Sequence, residues 1–167
     1  MNPLLGQNSQ ADSLLRLVNP NKPDTANAKI YYELARTHYS SDTRNALNWA
    51  REAAKYYKKA DNLERMTRCM NIEAVCLLIL DKPDESIKLH YQILKIREEL
   101  KDTLAISETL LNIGNVYYRG QDKEQAVKFY KRSKKFAALK NNTKMLGSLS
   151  NNIGNYYMDI YLQTNKV

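Results

Sequence analysis

Cysteine, glycine and proline are all scarce in this chain of 167 residues, with two, five and four of each. Cys69 and Cys76 sit seven apart on one predicted helix, about 10 Å by helical rise, too far for a disulfide. They read as buried free thiols, which leaves the compartment open. So little glycine and proline leaves room only for short turns between regular elements. No apolar run approaches the ~20 residues that a membrane-spanning helix needs. Histidine is limited to His38 and His90. There is no HExxH pair, no CxxC, no GxxxxGK phosphate loop and no GxSxG elbow. Nothing here carries catalysis, a metal or a cofactor, and none is expected. Phenylalanine is nearly absent too, with two residues against twelve tyrosines. The aromatics of this chain are mostly rings with a hydrogen-bonding tip.

What is present is repetition. Asn112-Ile113-Gly114-Asn115 returns as Asn152-Ile153-Gly154-Asn155, and Tyr117-Tyr118 is answered by Tyr156-Tyr157. Leu110, Ile113, Gly114 and Tyr117 fall at i, i+3, i+4 and i+7, one face of a helix. Gly114 and Ala126 are small, as required where two helices cross closely, and aromatics fill the space beside them. Polar joints recur at the same period: Asp61-Asn62-Leu63, Lys101-Asp102-Thr103 and Asn141-Asn142-Thr143. Such polar pairs suit helix ends. Turns are predicted at 40–43, 80–84 and 120–122, with Pro83 in the first turn of the next helix. In the second unit the small position falls on Ala74 in one register and on Glu73 in another, and the pattern leaves both open.

This pattern resembles the tetratricopeptide repeat, whose apolar-Gly pair, aromatic and later Ala-aromatic-small series are matched by Ile113-Gly114, Tyr117, Ala126, Tyr130 and Ser133. The resemblance implies an all-α, right-handed α-α superhelical solenoid. Its expected organisation is a tail and capping helix over 1–26, then repeats at about 27–66, 67–106, 107–146 and a partial one at 147–167. The forty-residue unit exceeds the family's common length of about 34, which predicts helices of roughly 15–18 residues.

In this family the first helix of each unit lines a concave binding face. The resemblance therefore places Tyr32, Arg36, Tyr39, Asn71, Asn112, Asn115, Tyr118, Arg119, Asn151, Asn152 and Asn155 at candidate partner-contacting positions. Asparagine amides both donate and accept, which suits a peptide backbone. A carboxylate clamp of the kind some members carry is not expected, because Leu111 and Asn151 stand where a lysine is wanted. Glu108 and Ser148 likewise replace a further basic residue. The DSLL helix at 12–15, the PDTANA stretch at 23–28 and the YYELA helix resemble the N-terminal sensor regions of bacterial signalling proteins. That implies a non-enzymatic protein- or peptide-binding module, the input or docking region of a larger protein.

Two further features carry alternatives. The last helix sets Ile153, Tyr157, Ile160 and Tyr161 on its surface, an apolar face that suits a homodimer or a longer array. The net charge is +8, and Lys128, Lys131, Arg132, Lys134 and Lys135 concentrate in a basic helix over 123–140. These charges spread around the helix, so a solvated face is favoured and RNA binding ranks third. Leu4-Leu5-Gly6-Gln7 is similar to the tail of a secretory leader, so cytoplasmic and periplasmic placements both stay open.

Overall fold

The twenty-residue spacing of a single backbone device organises the chain. In a computed structural model that describes residues 11–19 and 25–165, a helical segment α1 at 11–15 precedes seven longer helices. They are α2 (Thr25–His38), α3 (Thr43–Lys59), α4 (Leu63–Ile79), α5 (Pro83–Glu99), α6 (Thr103–Arg119), α7 (Lys123–Leu139) and α8 (Thr143–Thr164). No strand occurs among the described residues. The proline-rich break at 20–24 and the leader-like residues 4–7 lie outside them.

Helices α3 to α7 are each 17 residues long. Three residues join one to the next, and the middle one has positive φ: Asp61 (51°), Asp81 (60°), Lys101 (56°), Gln121 (65°) and Asn141 (50°). At each joint the amide of that residue donates to the carbonyl three before it, and the following amide donates to the carbonyl five before. At the first joint these are Asp61 N to Lys58 O, 3.1 Å, and Asn62 N to Tyr57 O, 2.9 Å. This is the Schellman closure, which satisfies the last carbonyls of the helix. The residue that completes it also starts the next helix. The side chains of Asn62, Asp102, Asp122 and Asn142 accept from the amides of Arg65, Ala105, Gln125 and Met145 at 3.0–3.1 Å. One side chain thereby caps an otherwise orphaned donor in the first turn. At the second joint Lys82 replaces the capping residue, and Pro83 begins α5, where it forfeits no intrahelical bond.

The chain divides into two compact units at residues 86 and 87, within α5. In the first unit, α3 packs on both α2 and α4. Its core is rich in small side chains: Ala28, Ala35, Ala46, Ala50, Ala53 and Ala74 are all fully buried, with Leu34, Cys69 and Cys76. Small residues permit close helix approach, and aromatics flank the seam. Tyr31 stacks on Tyr56 at 6.1 Å, and Trp49 meets His38 edge-on at 5.7 Å. Ala74, not Glu73, takes the small position. Glu73 instead turns out to pair with Arg51 of α3 at 2.7 Å. Burial pushes the thiols of Cys69 and Cys76 up to about 12 and about 11, so both are protonated and unreactive.

In the second unit α7 packs between α6 and α8. Leu94, Ile106, Leu110, Ile113 and Phe129 form one cluster; Ala126, Tyr130, Ala137 and Leu149 form another. Two buried serines cross-link α6 and α7: Ser107 Oγ donates to Ser133 O at 2.9 Å, and Ser133 Oγ donates to Ser107 O at 2.7 Å. Arg97 is 2% exposed and donates through Nη1 to Ala105 O and Thr109 Oγ1 at 2.8 and 2.9 Å.

His90 is also buried, and its Nδ1 has no hydrogen-bond partner among the described residues. Burial, then repulsion from Arg97, lowers its pKa from 6.5 to about 4. The unfolded chain therefore binds this proton more readily than the folded one. The resulting stability is fully present above pH 6.5 and is lost as pH falls towards 4. His90→Gln, neutral throughout, should shrink the stability difference between pH 7 and pH 4.5 by about 2–3 kcal/mol. Urea midpoints at the two pH values measure this directly.

Candidate functional site

The missing Cβ of Gly114 seats the aromatic that lines a cleft in the second unit. A methyl group there would lie 2.5 and 2.6 Å from the ring of Tyr130 and 3.2 Å from the Ala126 carbonyl. Helix α7 therefore lies against α6 at this point, with Tyr130 folded over the glycine and only 3% exposed. A tyrosine so buried needs a partner for its hydroxyl. It donates to Asn115 Oδ1 at 2.9 Å. Burial raises the Tyr130 pKa to about 12, so the hydroxyl stays a donor across the physiological range. Asn115 lines the adjoining cleft, and its NH2 group has no hydrogen-bond partner among the described residues.

Around this pair lies a cleft of about 130 Å³ lined by Asn115 and Tyr118 of α6, Tyr130 of α7, and Asn152 and Asn155 of α8. No described residue hydrogen-bonds the side-chain amides of Asn152 or Asn155. Tyr118 forms an exposed wall, with Lys123 Nζ 5.7 Å from its ring centre. Lys123 is held by Asp159 at 2.5 Å, an ion pair that also fastens α7 to α8. Two further α7 lysines make the same crossing: Lys131 Nζ donates to Tyr157 OH at 2.7 Å, and Lys134 Nζ to Ser150 Oγ at 3.1 Å. Three lysines of the basic helix thus reach α8, while Lys131 and Lys134 remain exposed to solvent.

Four of the eleven sequence-derived positions, Asn115, Tyr118, Asn152 and Asn155, meet in this cleft. Tyr130 joins them unforeseen, since the repeat pattern reads it as packing only. The signal was its hydroxyl: a buried position carrying tyrosine instead of phenylalanine implies a polar contact. Asn112 is half-buried and outside the cleft lining, while Arg119 and Asn151 are exposed and outside it. In the first unit, Tyr32 lines a separate cleft with Tyr57, Arg65 and Arg68. Arg36 forks onto Glu33 at 2.7 and 3.0 Å, Tyr39 is exposed, and Asn71 is half-buried. On α8, Tyr157, Ile160 and Tyr161 are exposed as the pattern predicts, with Met158 and Leu162 beside them. Ile153 departs from that expectation, because it packs half-buried against the cluster around Tyr130 and Leu149.

No group of His, Cys, Asp and Glu that could hold a metal occurs among the described residues. No helix among them is long and apolar enough to cross a membrane.

Residues 67–137 match the tetratricopeptide-repeat family model. That stretch of the chain is similar to tetratricopeptide repeats, and the fold is the all-α helical-repeat solenoid of the solved structures it resembles. The apo form of RapI aligns with a TM-score of 0.76 at 15% identity, over 95% of this chain and 57% of that one. Aspartyl phosphate phosphatase F from Bacillus subtilis aligns with a TM-score of 0.80 at 20% identity, over 92% and 40%. BtubC from P. vanneervenii aligns with 0.60 at 25% identity, over 68% and 48%. The chain spans about half the length of these structures. No curated protein sequence matches it significantly.

Gly154 repeats Gly114 in sequence, yet a methyl group there would meet nothing within 4 Å. Gly114→Ala should lower stability by about 1–3 kcal/mol through overpacking against Tyr130. Gly154→Ala should cause no loss and a gain of up to about 1 kcal/mol from helix propensity. Chemical denaturation of the two variants side by side checks the pair.

Proposed function

We propose that this chain is a non-enzymatic protein- or peptide-docking module, the input region of a larger bacterial signalling protein. The observation that carries the reading is the cleft of the second unit. Asn115, Asn152 and Asn155 bring amides to one opening, flanked by the rings of Tyr118 and Tyr130. Amides that donate and accept match a peptide backbone, and tyrosine supplies rigid contact area with little entropy to lose. The family supports binding over catalysis, and the Bacillus neighbour is consistent with a bacterial setting. Since the chain spans only part of those structures, an output function belongs to sequence beyond this module in the proposal.

Asn152 and Asn155 have no described hydrogen-bond partner to lose, so replacing them tests binding without disturbing the fold. Peptides selected from a displayed library against the protein serve as probes. Asn152→Ala with Asn155→Ala should weaken the selected peptides about 10- to 100-fold, the value of one or two lost hydrogen bonds. Circular dichroism and solution mass should not change. Undiminished binding would remove the cleft from the account.

A second reading rests on the exposed row Tyr157, Ile160, Tyr161 and Leu162 of α8, which suits self-association. In that case Ile160→Asp changes the solution mass and leaves peptide binding intact.

A further inference from the structure

The first unit holds a second cleft whose chemistry is different. Its lining is Tyr32 of α2, Tyr57 of α3, and Arg65 and Arg68 of α4, around about 100 Å³. Arg65 and Arg68 are three apart, so both project from one side of α4. Several features mark the cleft as prepared for negative charge.

Arg65 is held in place without being neutralised. Its Nη1 donates to Tyr57 OH at 3.3 Å, and its guanidinium carbon lies 5.7 Å from the Tyr57 ring centre. Tyr57 itself is 2% exposed and therefore a fixed anchor. Arg65 makes no ion pair with any described residue. Its position is also locally unfavourable. It stands in the first turn of α4, where the helix dipole favours an anion over a cation. The corresponding positions after the other capped joints hold Asn45, Ala105, Gln125 and Met145, none of them charged.

Among the described residues Arg68 is tied only to Glu64 at 2.8 Å, in a pair with both side chains more than half exposed. Such surface pairs are weak and exchange readily for a better partner. Tyr32 lines the same opening, and no described residue hydrogen-bonds its hydroxyl. No carboxylate lines the cleft. Its volume of about 100 Å³ leaves room for an oxyanion head group.

We infer that the cleft formed by Tyr32, Tyr57, Arg65 and Arg68 binds a single oxyanion, carboxylate or phosphate, presented on an acidic peptide. The two planar guanidinium forks match the oxygen pairs of either group, and the phenols supply neutral donors beside them. The site shares no residue with the asparagine cleft, so either can fail without the other.

Side-chain NMR of arginine Nε–H groups tests the inference on the full chain, with three probes: hexaglutamate, a phosphoserine-containing peptide and hexaglutamine. Hexaglutamate or the phosphopeptide should shift the Arg65 and Arg68 signals saturably, and hexaglutamine should not. The stronger of the two anionic probes identifies the carboxylate or the phosphate as the preferred group. Arg65→Gln with Arg68→Gln should weaken binding at least tenfold, and Arg65→Lys should fall between, since it keeps the charge and loses the fork. Should the double variant misfold, Arg68→Gln alone carries the test, because its one partner among the described residues is an exposed carboxylate. Equal shifts from hexaglutamine would overturn the inference. So would hexaglutamate binding that perturbs only the α7 lysines and survives the double substitution.

Discussion

Every twenty residues from 61 to 141 the backbone turns through the left-handed region at a residue that is not glycine. The closing hydrogen bonds of one helix and the opening cap of the next share three residues at that point. This joint is the constraint on which the rest depends. It holds the helices at 17 residues, and two helix-joint pairs make the forty-residue repeat. An extra residue in a helix would rotate everything beyond it by about 100° and carry core side chains out to water. Asparagine and aspartate tolerate the left-handed region, whereas lysine and glutamine adopt it under strain. Lys101 and Gln121 hold it because the hydrogen bonds on both sides leave no alternative.

From the joints the structure passes to the cleft through one close contact. Phase places Gly114 under Tyr130, Tyr130 delivers a hydroxyl to Asn115, and Asn115 lines the cleft. Each link is a packing consequence of the one before. The cleft is therefore built on rigid helices, and its asparagines sit where the repeat puts them. The first unit reaches a different outcome on the same frame. There the small positions are alanines, the cleft walls are tyrosines, and the exposed groups are guanidiniums.

Much of this was legible in the sequence. The repeat of Asn-Ile-Gly-Asn and the polar joints at 61, 101 and 141 disclosed the helix hairpins and the period, because helix phase and capping are local properties. The intermediate joints at Asp81 and Gln121 were expected as turns, but their different side chains did not show that they close in the same way as those at 61, 101 and 141. The choice between Ala74 and Glu73 needed tertiary contact, since only the pairing of Glu73 with Arg51 decides it. Asn152 and Asn155 were visible as groove positions. Asn112, Arg119 and Asn151 occupy similar places by spacing but fall outside the cleft, as its extent depends on where Tyr130 and α8 lie. The role of the α7 lysines was equally hidden: a charge run does not show that Lys123, Lys131 and Lys134 reach across to Asp159, Tyr157 and Ser150.

The central claim is that the left-handed joints set the register, and Lys101 is the sharpest place to test it. Equilibrium urea unfolding of Lys101→Gly and Lys101→Ile should move in opposite directions. Glycine should stabilise by about 0.5–1 kcal/mol by relieving the strain, and the β-branched side chain should destabilise by about 1–2 kcal/mol. Two midpoints indistinguishable from that of the parent would contradict the account, because they would mean that the joint at Lys101 carries no conformational demand.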